Sequence, residues 1–311
     1  MNTSCETRKH VRLMGSDFEF VIVDDEQDSA LEEAINEVRR IESLLTEFNE
    51  TSQTSLINQN AGIRPVFVDV EVYRIIKRCK ELSILTQGAF DITCGVLKRL
   101  YNFKGEKFLQ PDQGSIDAAI RKVGSDKILL KEPNRVYLRE AGMHIAFGAI
   151  GKGYAADVVK RKLVERGVSG GVINASGDLT AFGKRQDGSL WKVGVADPDD
   201  PSKVLFWLPV ENSSVATSGN YEQYFEIDGI RYSHNIDPLT GKPVKGIKSV
   251  TVISSSAELS DALATAVTIM GTDVGLHFIE QLPGTHCVII TDNNRILASN
   301  HLRFETNGYE I

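Results

Sequence analysis

The sequence predicts an α+β fold, with mixed or antiparallel sheets carrying packed helices. Two observations point there. Several segments repeat apolar residues at the three-to-four spacing of an amphipathic helix, and short apolar runs bounded by turn residues lie between them. The two kinds of segment do not alternate in the steady strand–helix–strand rhythm that a parallel, doubly wound sheet requires.

The elements follow in order. Phe18 to Val23 reads as a strand, and Asp24 to Ser29 as the turn after it. From Leu31 a helical comb runs through Ala34, Ile35, Val38, Ile41 and Leu45. Thr46 to Gly62 is polar and reads as a loop. A second helix places Val72, Ile75, Ile76, Cys79, Leu82 and Leu85 on one face and stops at Gly88. Tyr101 to Gln113 is irregular, and Ile116 to Val123 reads as a short helix. Ile128 to Leu130 and Arg135 to Leu138 form a hairpin around Pro133-Asn134, and a helix spans Gly153 to Arg166. Strands follow at Gly171 to Ala175, Leu179 to Phe182, Trp191 to Val195, Val204 to Val210, Glu222 to Ile227 and Ser249 to Ser254. Asp228-Gly229 reads as a tight hairpin turn, whereas the pattern leaves open whether Ser214 to Ser218 is more than a loop. Helices from Ser260 to Met270 and Val274 to Leu282, then a hairpin of Val288 to Ile290 with Arg295 to Ala298, complete the chain.

Composition narrows the function. The 311 residues are 41% hydrophobic and 25% charged, the balance of a globular protein, sufficient for one domain over residues 1–311 or two closely packed lobes. A net charge of −7 argues against a nucleic-acid binder, which carries a basic stripe. Cys5, Cys79, Cys94 and Cys287 show no metal-ligand spacing, and Cys79 and Cys287 read as core residues. No apolar run reaches the roughly 18 residues of a membrane span. Met1 to Arg12 is polar, without the apolar core of a signal peptide. A cytoplasmic protein is therefore expected, the alternative being an exported or lipid-anchored form trimmed near Cys5.

Three stretches can carry chemistry. Ser218-Gly-Asn-Tyr-Glu222 precedes His234-Asn-Ile-Asp237-Pro-Leu-Thr240-Gly241, a punctuated segment holding a histidine that can change charge near neutral pH. It reads either as a catalytic loop on a rigid scaffold or as a simple Asp-Pro and Thr-Gly turn. Asp261 and Thr265 stand one helical turn apart, so a carboxylate and a hydroxyl share a face and offer oxygen to a hard cation such as magnesium. Asp261 near a helix start also reads as a cap. Gly148-Ala149-Ile150-Gly151-Lys152-Gly153 enters a helix, where backbone N–H groups and a lysine suit a phosphate, although the spacing is not that of a nucleotide-binding fingerprint. Gly88-Ala89-Phe90-Asp91 and Asn174-Ala-Ser-Gly177-Asp178 read more simply as a helix stop and a turn.

Together these segments resemble the ApbE family, the FAD:protein FMN transferases. The likeness runs from Met14-Gly-Ser16 through Glu-Phe48-Asn, Ser-Leu-Ile-Asn58, Gly-Ala-Phe-Asp91, Gly-Lys-Gly-Tyr-Ala with Asp157, Ser-Gly-Asn-Tyr and His-Asn-Ile-Asp-Pro-Leu-Thr-Gly to Asp-Ala-Leu-Ala-Thr265. The resemblance implies FAD in a cleft between two lobes, touching Met14, Phe48, Ala89, Phe90, Asp91, Lys152 and Ile236. It implies magnesium held by Asp261, Thr265 and the carbonyl of Ala149, and a catalytic role for His234. The implied reaction moves FMN from FAD to a threonine or serine hydroxyl of an acceptor protein and releases AMP. An FAD pyrophosphatase using the same site, and a non-catalytic FAD-binding protein, are the alternatives. One departure is Ala146, where relatives carry an aspartate, which implies weaker FAD affinity.

Overall fold

The computed structural model describes residues 5–24, 27–101, 110–200, 202–219, 224–227, 230–300, 302 and 305–306. Its framework is an eight-stranded antiparallel sheet. The chain opens with β1 (Cys5–Leu13) and β2 (Ser16–Asp24), paired residue for residue across a two-residue turn. β1 was not legible as a strand, because charged residues such as Arg8, His10 and Arg12 alternate along it. Those charges suit an edge strand, whose open hydrogen-bonding groups must not recruit another chain, and Arg8 pairs with Glu19 of β2 at 3.1 Å.

α1 (Gln27–Leu45) follows, then α2 (Gln53–Gln59), β3 (Val66–Phe67), α3 (Val70–Leu85), α4 (Gly95–Lys98) and α5 (Gln113–Ile120). α2 corrects the reading of Thr46 to Gly62 as loop. Its single apolar turn is too short to show periodicity, and it is fixed instead by Ser52, whose side chain caps the Ser55 N–H. β4 (Ile128–Lys131) and β5 (Arg135–Leu138) form the expected hairpin and, with β3, a small three-stranded sheet. Residues 102–109, inside the stretch expected to be irregular, lie outside the described residues.

α6 (Gly151–Arg166) leads into β6 (Gly170–Ala175), β7 (Asp178–Gly183), β8 (Trp191–Ala196), β9 (Val204–Val210) and β10 (Ser214–Gly219). β10 settles a segment that the sequence left open: Ser214 to Ser218 belongs to a central strand, flanked by β7 and β13 (Ile247–Ser254). Its polar side chains satisfy one another across the sheet, Ser214 to Thr180 at 2.8 Å and Thr217 to Thr251 at 2.9 Å, so no apolar alternation marks it. β11 (Tyr224–Ile227) and β12 (Ile230–Ser233) pair with each other; residues 228–229, expected as a hairpin turn, and residues 220–223 lie outside the described residues. α7 (Ala257–Met270), α8 (Thr272–Glu280), β14 (His286–Thr291), β15 (Ile296–Ala298) and β16 (Glu305–Thr306) complete the elements.

The large sheet runs β1-β2-β6-β7-β10-β13-β14-β15, and both of its faces are covered. Phe18, Phe20 and Ile22, alternate residues of β2, enter the core beneath α1 and α6, while Val21 and Val23 face the β8–β9 layer with Trp191, Phe206 and Leu208. The helix-side core continues through Val72, Ile75 and Ile76 of α3 to Val136 and Leu138 of the small sheet. Cys79, Cys94 and Cys287 are buried free thiols. Among the described residues no helix is long and apolar enough to cross a membrane.

α6 and α7 cross unusually closely. A methyl group on Gly153 would stand 2.2 Å from the Ala257 carbonyl oxygen, so only glycine permits the approach. Asp157, one turn further along α6, closes the joint. Its carboxylate accepts the Ala257 N–H at 3.0 Å, the Glu258 N–H at 2.9 Å and the Ser256 hydroxyl at 2.7 Å, satisfying donors that the first turn of α7 leaves open. Asp157→Ala is expected to cost about 2 kcal/mol of stability, read by urea denaturation. Wild-type stability in that variant would show that the joint does not need the carboxylate.

Candidate functional site

Because Ser256 caps α7, the helix begins before Asp261, and Asp261 lies a full turn inside. It is therefore not a cap. It is a carboxylate with 6% exposure, approached by the Gly153 N–H at 3.4 Å across the α6–α7 joint. That N–H is turned away from Ala149, and no backbone N–H among the described residues donates to the Ala149 carbonyl. The hydroxyl of Thr265, half-buried one turn beyond Asp261, makes no hydrogen bond with the described residues, whereas Thr268 folds its hydroxyl back onto the Ala264 carbonyl at 2.8 Å. A carboxylate, a hydroxyl and a carbonyl thus remain as oxygen donors at this joint.

Asp178, at the start of β7, adds a second buried carboxylate, 3% exposed and ion-paired with Lys152. Burial, reinforced by the Asp178 charge, pushes the Asp261 carboxyl well above the usual carboxylate range; the Lys152 ammonium and the Gly153 N–H pull the other way. Asp178 had read as a turn residue. The available signal was a carboxylate opening an otherwise buried strand, Asp-Leu-Thr-Ala-Phe.

Lys152 also lines a cleft of about 470 Å³, shared with Met14, Phe48, Phe147 and Gly148. Met14 reaches the cleft from the β1–β2 turn, where Met14 and Gly15 both take positive φ, 50° and 72°. That pair of left-handed residues suits a two-residue hairpin turn but is strained for a side chain as large as methionine. Phe48 stands at the cleft 92% exposed, a whole aromatic ring in solvent. Met14, Phe48 and Lys152, three of the residues expected to contact FAD, are therefore brought together.

The remaining ones do not line this cleft. Phe90 is 1% exposed with its ring in the core and its N–H on the Thr86 hydroxyl at 3.1 Å; Ala89 is also buried. Burial raises the Asp91 carboxyl above its ordinary range, although it accepts from the Thr93 N–H and hydroxyl and from the Ser125 N–H. Asp91 shares a separate pocket of about 380 Å³ with Gly88, Pro238 and Leu239. Ile236 is buried against Cys94, Leu97 and Tyr101. Ala146, the departure from the family pattern, donates its N–H to the Ile92 carbonyl at 2.9 Å.

His234 is half-buried in the bend directly after β12 and does not line the cleft around Phe48. The loop that carries it is tightly determined. The Ser233 N–H donates to the Val244 carbonyl and the Val244 N–H to the Asn235 carbonyl, Asn235 donates to the Ser218 hydroxyl at 3.1 Å, and Asp237 accepts from the Leu239 N–H and the Thr240 hydroxyl. Tyr101 donates to the Gly241 carbonyl at 2.7 Å. Such a loop holds a side chain in place as firmly as a strand does.

A last polar group adjoins the cleft. His144 Nε2 meets Glu47 Oε2 at 2.5 Å, and Arg99 lies within 3.5 Å of the same oxygen. The His144 contact, with Arg99 contributing, holds the Glu47 carboxyl below its usual range.

The sign of the Asp261 shift gives a test. An unfolded aspartate ionises at about pH 4. Below that pH both states hold the proton and the buried carboxyl carries no penalty. As pH rises through the higher folded value, the folded state loses stability relative to the unfolded chain. In the absence of divalent cations, Asp261→Asn is expected to raise the Tm by a few degrees at pH 8 and to leave it nearly unchanged at pH 4. An equal shift at both pH values would remove ionisation as the cause.

The ApbE family profile matches residues 14–289. An FAD:protein FMN transferase of Klebsiella pneumoniae is 32% identical over 281 residues, covering 88% of this chain and 87% of its own. Another, of Treponema pallidum, is 30% identical over 290 residues, covering 88% and 80%. The crystal structure of the ApbE protein of Thermotoga maritima superposes with a TM-score of 0.87 at 31% identity, covering 95% of this chain and 97% of its own. Matched through its motifs and across its fold, the chain belongs to the ApbE family.

Proposed function

We propose that this protein transfers the FMN half of FAD to a threonine or serine hydroxyl of an acceptor protein, with magnesium, releasing AMP. The observation that carries the proposal is the α6–α7 joint, where the buried Asp261 carboxylate meets the Gly153 N–H, next in sequence to Lys152 of the Phe48 cleft; Thr265 follows Asp261 by one turn, and Ala149 lies in the turn that enters α6. A buried carboxylate with a hydroxyl and a carbonyl, three oxygen groups in all, suits a small hard cation, which fills its remaining positions with phosphate and water. Magnesium bound there would neutralise charge on the pyrophosphate as it cleaves.

The chain's own residues do the rest. Met14 and Phe48 hold the flavin side of FAD, and Lys152 sets a positive charge against a phosphate. His234 accepts the proton of the acceptor hydroxyl as its oxygen bonds to the phosphorus of FMN. The phosphoanhydride bond to AMP breaks in the same exchange, and AMP leaves with the bridging oxygen. Asp178 keeps the Lys152 ammonium against the carboxylate pair.

Incubation with FAD and magnesium, with and without an acceptor peptide, followed by mass spectrometry, tests this. FMN covalently on the peptide with AMP released is the expected result. Free FMN and AMP in equal amounts with or without peptide would establish the pyrophosphatase instead, and intact FAD with a competent acceptor would leave a binding protein. His234→Ala is expected to lower turnover by about 10²- to 10⁴-fold while FAD still binds. Unchanged turnover would remove His234 from the mechanism. Asp261→Ala should move the magnesium titration to much higher concentrations, and an unaltered titration would exclude it as a ligand.

A further inference from the structure

We propose that His144 is a positioning residue for flavin binding, acting through Glu47 to fix Phe48 at the mouth of the cleft. The proposal rests on the reading that this cleft takes the flavin of FAD. Phe48 is 92% exposed, so packing does not set the direction of its ring. Its placement must come from the backbone of residues 46–48.

That backbone is anchored on several sides. The Ser52 hydroxyl donates to the Thr46 carbonyl at 2.5 Å, the Ser55 hydroxyl to the Glu47 carbonyl at 3.2 Å, and the Phe48 N–H to the Thr46 hydroxyl at 3.2 Å. These local bonds come from α2 and from the segment itself. The anchor that reaches across the fold is the Glu47 carboxylate on His144, 97 residues away in sequence.

His144 is suited to that work. It is 7% exposed, and its ring is wedged against Gly95, where a methyl group would stand 2.6 Å from the ring carbon Cδ2. Asn58 locks the neighbouring backbone, accepting the Ile145 N–H at 2.8 Å and donating to the Ile145 carbonyl at 3.0 Å. His144 Nε2 faces Glu47 Oε2 at 2.5 Å, and Arg99 Nη2 lies 3.0 Å from the same ring nitrogen and 3.5 Å from the carboxylate. Glu47 lines both the 470 Å³ cleft and a neighbouring cavity of about 300 Å³, whereas His144 lines only the neighbouring one of the two. His144 therefore acts from behind the wall of the cleft. A rigid support of this kind reduces the ordering that FAD binding must impose on residues 46–48.

The test is a steady-state comparison of His144→Ala, Glu47→Ala, Phe48→Ala and the His144→Ala/Phe48→Ala pair, with FAD varied at saturating acceptor. His144→Ala is expected to raise the KM for FAD about tenfold, the effect of losing one charge-assisted hydrogen bond. Its kcat at saturating FAD should stay within about twofold of wild type, because the change acts on binding. The paired variant should be no worse than Phe48→Ala alone, since the two substitutions remove one shared effect. If His144→Ala fails to fold, Glu47→Ala, whose side chain is partly exposed, supplies the same cycle with Phe48→Ala. A raised KM in Phe48→Ala with unchanged KM in both His144→Ala and Glu47→Ala would overturn the proposal. So would additive effects in the double variant. An unchanged KM in Phe48→Ala would instead overturn the flavin-cleft reading on which the proposal depends.

Discussion

The site depends on the joint between α6 and α7. Two helices can cross this closely only where one presents no side chain, and Gly153 supplies that gap. Closeness alone would leave the first turn of α7 with buried, unpaired N–H groups. Asp157 removes that penalty by accepting two of them and the Ser256 hydroxyl, and so fixes the rotation of α7 against α6. Asp261 then comes to face the Gly153 N–H, and Ala149 keeps its carbonyl uncommitted. Each candidate oxygen donor is placed by this geometry, and none of them builds it.

The helices at this joint stand on a sheet buried on both faces. β2 shows how that is done with nine residues: alternate side chains feed two different cores. A support of this kind limits the freedom of α6 and α7 to move apart. It also explains why an electrostatically unfavourable arrangement, two carboxylates out of water beside one partly exposed lysine, can persist. The surrounding apolar packing supplies the stability that the charges do not.

What was legible in the sequence followed from periodicity. The comb of Leu31 to Leu45 and that of Val72 to Leu85 became α1 and α3 because each buries one face only. The Asp261–Thr265 pair was legible for the same reason, as helical spacing fixes which residues share a side. Elements that solve their burial by polar pairing were not legible. β10 satisfies its hydroxyls against Thr180 and Thr251, partners distant in sequence, and α2 is specified by hydroxyl contacts to carbonyls. Asp178 and the Glu47–His144 pair were missed likewise, since a lone carboxylate or histidine shows its partner only after folding. The start of α7 was misplaced by a few residues, and that displacement is what had made Asp261 look like a cap.

The turn at Met14 and Gly15 carries a constraint of its own. Met14 enters the cleft at the end of a nine-residue ladder in which every residue of β1 has its partner in β2. One residue added between Leu13 and Ser16 would force a bulge or move one strand past the other, exchanging its inward and outward faces. Length is therefore as strictly specified as identity at this turn. Variation in chain length among proteins sharing this architecture should gather elsewhere, for example in the exposed connection between β7 and β8, whose residues line no wall of the cleft.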